Sequence, residues 1–210
     1  CALPILELWT TKDGLPSNDV RALAEDASGG LWIGGVRGLA RFDGREFVNV
    51  TVRDHLPQRE VFALAVDPED GVWAGTGGGL IRWRDGQAES FTTRSGLPSD
   101  SVRSLFLDDD GSLWIGTAKG LAWRREGKIF SFGERVGLGQ ADVAGIVDDA
   151  LGYLWLATRR GVLRVSRAEL VAVADGKLGR LNVRGFGLAD GLPSVRASQG
   201  QFSAVRARDG

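Results

Sequence analysis

Methionine is absent from this 210-residue chain, and cysteine and histidine occur once each, at Cys1 and His55. A single Cys builds no disulfide framework, and one Cys with one His makes no Cys/His metal cluster within the chain. No apolar run approaches the roughly 18 residues of a membrane span. Neither sign of charge dominates. The 26 basic residues nearly balance 27 acidic ones and form no basic arm, so the electrostatic footprint of a nucleic-acid binder is missing. Lysine is confined to Lys12, Lys119, Lys128 and Lys177; the preference for Arg reads as the codon usage of a GC-rich genome. A chain without Met reads as a processed or excised piece. Cys1-Ala2-Leu3-Pro4 fits the tail of a removed signal peptide, and Cys1 fits the lipid-bearing first residue of a lipoprotein. An arbitrary boundary is the preferred reading, because the other end also looks cut.

Glycine is what the chain has in excess, 31 residues against 6 Pro. That suits tight turns between short strands better than long helices. The pattern is also periodic. Trp32, Trp73, Trp114 and Trp155 stand 41 residues apart. The same step relates Val20, Val61, Val102 and Val143; Asp26, Asp67, Asp108 and Asp149; Leu39, Leu80, Leu121 and Val162; and Gly14, His55, Gly96 and Gly137. A period near 40 held at this many positions is a repeat architecture.

Each copy reads as four short strands. In the first they run over residues 20–26, 31–36, 39–43 and 46–51, separated by turns rich in Gly. Leu31-Trp32-Ile33 is apolar on both faces, as expected of a strand covered on both sides. The apolar spacing of two excludes a solenoid of helical pairs. The fold class is therefore all-β, a β-propeller of four-stranded antiparallel blades. The units span residues 14–54, 55–95, 96–136 and 137–190, with a fifth begun at 191–210. Gly34, Gly35, Gly75, Gly77 to Gly79, Gly116 and Gly120 crowd the second hairpin, where positive φ and close blade contact favour Gly. Asp26, Asp67, Asp108 and Asp149 precede a turn whose backbone N–H groups a carboxylate can accept. The four Trp are expected between blades, each removing roughly 150–250 Å² from water. This Trp, Asp and Gly set is read as building blades.

The register slips after Val165, where 13 residues are added before the next Gly-Leu-Pro at Gly191. Ser166 and Glu169 have capping-box spacing ahead of an Ala-rich run, which predicts a short helix over residues 167–174 decorating the fourth blade. At the other end Trp9 takes the place of Val50, Phe91, Phe132 and Phe186, so an outermost strand without a blade of its own is expected there. Four and a half blades form an open arc with unpaired edges, which should associate in solution.

The stretches "WTTKDGLPSNDVRALAEDASGGLWIGGVRGLARFDG", "DPEDGVWAGTGGGLIRWRDG", "DDDGSLWIGTAKGLAWRREG" and "ALGYLWLATRRGVLRV" resemble the two-component regulator propeller repeat. The departures are His55 for Gly, Gly35 for Thr and Gly139 for Pro. That resemblance implies a seven-bladed ring, of which this chain is a part, in the periplasmic sensor region of membrane-bound histidine kinases and diguanylate cyclases. It implies a non-catalytic, ligand-sensing region. Its partners would be an extracellular small molecule or glycan, the remaining blades and signalling module of the same protein, and a second copy in a homodimer. No cofactor and no nucleic acid are implied.

Dedicated chemistry is hard to assemble from these residues. A triad needs a base beside its nucleophile, and His55 replaces a turn Gly. Glycosidases need two carboxylates flanking a bond, yet most acids sit at repeated turn positions. The Asp…Gly…Trp hairpins also resemble sialidase Asp-boxes and streptogramin lyase blades, so a propeller fragment of a lyase or glycoside hydrolase is the alternative function. Asp108-Asp109-Asp110 reads as a solvated turn before a hard-cation site. Gly77-Gly78-Gly79 lacks the Lys-Ser/Thr of a phosphate loop. What remains is a face formed by the connection into each innermost strand and by the second-to-third strand turns. Loops on a rigid scaffold commonly carry recognition. Asn18, Arg21, Arg37, Asp100, Arg103, Lys119 and Arg159 are the candidate ligand-binding residues there, beside Arg160. A mixed solvated surface accounts for the same residues.

Overall fold

The computed structural model describes residues 7–50, 60–67 and 71–192. His55 and residues 193–210 of the fifth unit lie outside the described residues. Four sheets form, each an antiparallel meander. The first holds β1 (Val20–Glu25), β2 (Leu31–Gly35), β3 (Gly38–Phe42) and β4 (Phe47–Val50). The second holds β5 (Val61–Val66), β6 (Val72–Thr76), β7 (Gly79–Arg84) and β8 (Gln87–Phe91). The third holds β9 (Val102–Leu107), β10 (Leu113–Thr117), β11 (Gly120–Arg125) and β12 (Lys128–Phe132). The fourth holds β13 (Val143–Asp148), β14 (Tyr153–Thr158), β15 (Gly161–Ser166) and β16 (Arg184–Phe186). The first strands of successive sheets, β1, β5, β9 and β13, pack side by side. These are propeller blades arranged about an axis lined by their inner strands.

The core is not continuous but divided into three seams. Trp32, Val61 and Leu64 join the first blade to the second. Trp73, Val102 and Leu113 join the second to the third. Trp114, Val143 and Leu154 join the third to the fourth. Each of the first three blades thus turns its Trp to the blade that follows. Trp32, Trp73 and Trp114 are buried, whereas Trp155 is half-buried, since no later blade covers it among the described residues. The Gly positions divide the labour. Gly38, Gly79, Gly120 and Gly161 open their strands at φ 133°, 139°, 137° and 122°, where a side chain is strained. Gly34, Gly75 and Gly116 serve close approach between blades instead.

The repeated Asp does more than close a turn. Asp26 Oδ1 accepts from the Ser28 and Gly30 amides at 3.0 and 2.9 Å and from the Ser28 hydroxyl at 2.6 Å. Its Oδ2 accepts from Trp32 Nε1 at 3.0 Å and Arg41 Nε at 2.7 Å. One carboxylate therefore ties together the β1–β2 turn, the indole of β2 and a cation of β3. Asp108 and Asp149 accept the indole N–H of Trp114 and Trp155 in the same way, at 3.2 and 2.9 Å. Asp67 pairs with Arg82 at 2.7 Å. The Arg41 guanidinium holds the Asp26 carboxyl well below the usual carboxylate range, with the Ser28 and Gly30 donors adding to it and burial opposing. A carboxyl whose folded-state pKa is depressed stabilises the fold above its unfolded pKa, and that contribution fades as pH falls toward the folded value. Wild type is accordingly expected to melt above Asp26→Asn at pH 7, with the gap narrowing steadily below about pH 4. A gap that stays constant in melting curves from pH 7 to pH 2 would rule out the charged carboxylate as its source.

In the third blade the repeat substitutes its cation. Trp123 stands where Arg41, Arg82 and Arg164 stand in the others, and stacks on Trp114 with centroids 5.0 Å apart and planes 8° apart. The charge for Asp108 comes instead from Arg167 of the fourth unit, which also pairs with Asp148 at 2.6 Å. Arg167 opens helix α1 (Arg167–Ala174), which has the bounds expected from its capping signal. Ser166 accepts from the Glu169 amide at 3.4 Å, but the Glu169 carboxylate turns away to accept from the Asn182 amide at 2.8 Å, so only half of the expected capping box forms. Leu170 is fully buried in the seam between blades three and four. The helix, expected to decorate the fourth blade, thus also clamps that blade to the third across the seam.

The outermost strand expected around Trp9 has no blade of its own, and no strand pairs with it among the described residues. Residues 7–10 have no strand structure, and the Trp9 ring instead lies 4.9 Å from Phe42 and 5.7 Å from Phe47 of the first blade. Local apolar contact captures the indole. No helix among the described residues is long and apolar enough to cross a membrane.

Candidate functional site

The meander places the connection into each inner strand and the β2–β3 type turns on one face. Backbone bonds hold them together: the Val36 amide donates to Asp19 O at 3.2 Å and the Ala118 amide to Ser101 O at 2.9 Å. Three of the turns are braced by a threonine that the first blade replaces with Gly35. The hydroxyls of Thr76, Thr117 and Thr158 donate to Gly79, Gly120 and Gly161 O at 2.8 to 2.9 Å. They also accept from the Gly78, Lys119 and Arg160 amides at 3.1 to 3.2 Å. Arg37, Lys119 and Arg160 are exposed at these turns, and their side chains make no ion pair among the described residues.

A feature of the inner strands singles out this face. The ladder between inner and second strand slips in every blade, between Val20 and Ala22, Val61 and Ala63, Val102 and Ser104, and Val143 and Gly145. The extra residues are Arg21, Phe62, Arg103 and Ala144. A β-bulge re-aims a side chain away from the regular alternation, and bulges concentrate beside functional sites. Here they bring three side chains into one belt. The Arg21 and Arg103 guanidiniums lie 5.5 and 5.0 Å from the Phe62 ring centroid, within cation–π range on a buried ring.

Carboxylates from the preceding loops balance the belt. Arg21 pairs with Glu60 and, at 3.5 Å, with Asp19. Asp142 lies 3.7 Å from Arg103 and 2.8 Å from Arg159. The result is an alternating row of donors and acceptors, held from blade to blade, which suits a ligand bearing several hydroxyl, carbonyl or amide groups.

The structure sorts the sequence-derived candidates into groups. Arg21, Arg103 and Arg159 meet in the belt. Arg37 and Lys119 stand above it on the turns. Asn18 and Asp100 hold their own loops: Asn18 Oδ1 accepts from the Thr11 amide at 2.8 Å, and Asp100 Oδ1 from the Thr93 amide at 2.6 Å. Phe62 was missed by sequence reasoning, although it shares the 41-residue register of Arg21 and Arg103. Among the described residues no group of three or more His, Cys, Asp or Glu is placed to hold a metal ion.

Residues 14–37 and 96–119 match the family model of the two component regulator propeller. None of the curated proteins matches the chain. Among solved structures, the extracellular domain of a hybrid two component system from B. thetaiotaomicron is similar over 88% of this chain and 24% of its own, with TM-score 0.66 and 21% identity. Virginiamycin B lyase from Staphylococcus aureus is similar over 87% of this chain and 59% of its own, with TM-score 0.64 and 16% identity. An ancestral GH74 enzyme is similar over 80% of this chain and 24% of its own, with TM-score 0.54 and 16% identity. The chain spans about a quarter of the first of these relatives. At such identities the likeness is one of fold, the β-propeller.

Proposed function

We propose that this chain, whose repeats are those of two-component regulator propellers, is the ligand-sensing region of a membrane-bound two-component or cyclic-di-GMP receptor. In this reading it lies outside the cytoplasmic membrane, is itself non-catalytic and takes an extracellular small molecule or glycan. The remaining blades and the signalling module belong to the same protein, and a change in packing between them carries the signal. The observation that carries the reading is the bulge-borne belt of Arg21, Phe62 and Arg103, conformational irregularity repeated at one level of four blades. Bulges are over-represented beside binding and active sites, where they re-aim a side chain.

The lyase and glycoside hydrolase reading is the second. A variant of the S. aureus lyase with one histidine replaced by alanine is catalytically inactive. The sole histidine here, His55, stands at a turn Gly position of the repeat. The test is a thermal-shift screen of the chain against extracellular metabolites and oligosaccharides, with recovery of any ligand that binds. At 100 times its Kd a ligand adds about 2.7 kcal/mol, which for a domain of this size raises Tm by about 5–10 °C. The ligand should be recovered unchanged, and Arg21→Ala with Arg103→Ala should abolish the shift. Recovery of a cleaved product would establish the enzyme reading instead.

A further inference from the structure

The fourth blade holds its loop against its turn differently from the first and third. In those two, the connection into the inner strand reads Leu-Pro-Ser, at Leu15 to Ser17 and Leu97 to Ser99. The Ser17 hydroxyl accepts from the Asp19 amide at 3.0 Å, and the Ser99 hydroxyl from the Ser101 amide at 3.2 Å. The turn then latches onto the connection through the Val36 and Ala118 amides. The fourth blade reads Leu138-Gly139-Gln140 instead. Gly139 lies at φ 70°, which proline, fixed at about −65°, cannot adopt. Gln140 has no hydroxyl to brace the connection, and its side-chain amide donates to Glu134 at 3.4 Å. The Arg159 amide makes no bond to the Asp142 carbonyl among the described residues.

Connection and turn therefore stand apart and leave a cavity of about 280 Å³ between them. A Cβ placed on Gly139 would meet no atom within 4 Å. The floor is apolar. It is made by Leu138, buried in the seam between the third and fourth blades, with Ala141 and Leu163 packed against the same cluster. The cavity thus lies on the side of the fourth blade that faces the third. Its rim carries charge. Arg159 closes one side through its pair with Asp142 at 2.8 Å. Arg160 also lines the cavity, is exposed and pairs with no carboxylate among the described residues.

We propose that this pocket binds a small monocarboxylate with a short branched hydrocarbon tail, the carboxylate on the Arg160 guanidinium and the tail over Leu138 and Leu163. Two guanidiniums against one carboxylate leave the lining with positive charge in excess, which the ligand balances. A guanidinium presents a planar fork that donates two parallel N–H bonds to a carboxylate. The apolar floor disfavours a sugar, whose hydroxyls would give up water there without a partner. The volume lies just below the roughly 300–1,000 Å³ of pockets for drug-sized ligands, so the tail is limited to a few carbons. The pocket adjoins the belt through Asp142, but the proposal does not rest on what the belt binds.

Isothermal titration of the whole chain with 4-methylpentanoate tests this. Two comparisons run beside it: 4-methylpentanamide, which keeps the tail without the charge, and acetate, which keeps the charge without the tail. The acid should bind at least about tenfold more tightly than either. Arg160→Gln should remove the advantage of the acid over the amide and leave the amide as it was. Ala141→Phe fills the floor and should abolish binding of both. Melting curves check that the variants fold, and Arg160→Gln, a change to an exposed side chain, decides the matter if Ala141→Phe does not. Arg21→Ala separates the pocket from the belt. Loss of the acid with Arg21→Ala but not with Arg160→Gln would place it in the belt and overturn the proposal. So would equal affinity for acid and amide, acetate binding as tightly as the acid, or no saturable binding of the acid at millimolar concentration.

Discussion

Trp114→Ala is expected to cost about 3–5 kcal/mol, the range for emptying an aromatic core site. The indole is 1% exposed, lies in the seam between the third and fourth blades and stacks on Trp123. Its N–H donates to Asp108, so removal also strips a donor from a carboxylate that helps close the β9–β10 turn. Truncation would leave a cavity walled by two sheets, which cannot collapse without sliding one blade over the other. The measurement is the urea midpoint of the chain, with Trp155→Ala as the internal comparison. Trp155 occupies the same place in the repeat but is half-buried, so its loss should cost clearly less. Equal shifts for the two, or a midpoint that hardly moves for Trp114→Ala, would show that the seam is not where the stability lies.

Among the seam glycines Gly34, Gly75 and Gly116, the change Gly116→Ala should be the most damaging. The new Cβ would meet the Ser104 hydroxyl and lie 2.6 Å from the Val143 carbonyl oxygen. These two groups are themselves hydrogen bonded across the seam at 3.0 Å. Backbone cannot retreat as a side chain can, so a cost of about 3 kcal/mol, the upper end for overpacking, is expected. Gly75→Ala offers the contrast. Its nearest neighbour is the Val102 side chain at 2.7 Å, with no backbone atom among the closest contacts. Combining Gly75→Ala with Val102→Ala should therefore recover about 1 kcal/mol or more relative to the sum of the single changes. Gly116→Ala with Val143→Ala should recover much less, because the offending oxygen remains. Denaturation of the four single and two double variants distinguishes the cases. Equal coupling in both pairs would mean that the blades shift as rigid bodies and that side-chain fit does not set their spacing.

Much of the fold was legible because a repeat writes each structural requirement several times. The 41-residue step of Trp, Val, Asp and Gly fixed the blade as the unit, and the Ser166 to Glu169 spacing located α1. These are local signals: a turn needs Gly where φ is positive, and a helix needs a cap for its first amides. The Asp–Trp–Arg tie was partly legible. Arg41, Arg82 and Arg164 follow the Asp at constant distance, but only the folded blade brings the guanidinium of β3 under the β1–β2 turn.

The candidate site was less legible. Arg21, Arg103 and Arg159 were found by their place next to loops, while Phe62 was passed over because an aromatic residue in an inner strand reads as core. The ring is buried, but the bulge sets it between Arg21 and Arg103, and a bulge is a slip between two strands that neither strand announces alone. Asn18 and Asp100 show the converse, since a polar residue in a loop looks available until its backbone partner is known. The sequence by itself determined the unit, its turns and the order of its strands, because these depend on residues close together along the chain. Only the tertiary structure decided that Arg167 neutralises Asp108 across a seam and that Trp9 lies against Phe42. Each of these depends on distances between blades, set by packing between surfaces far apart in sequence.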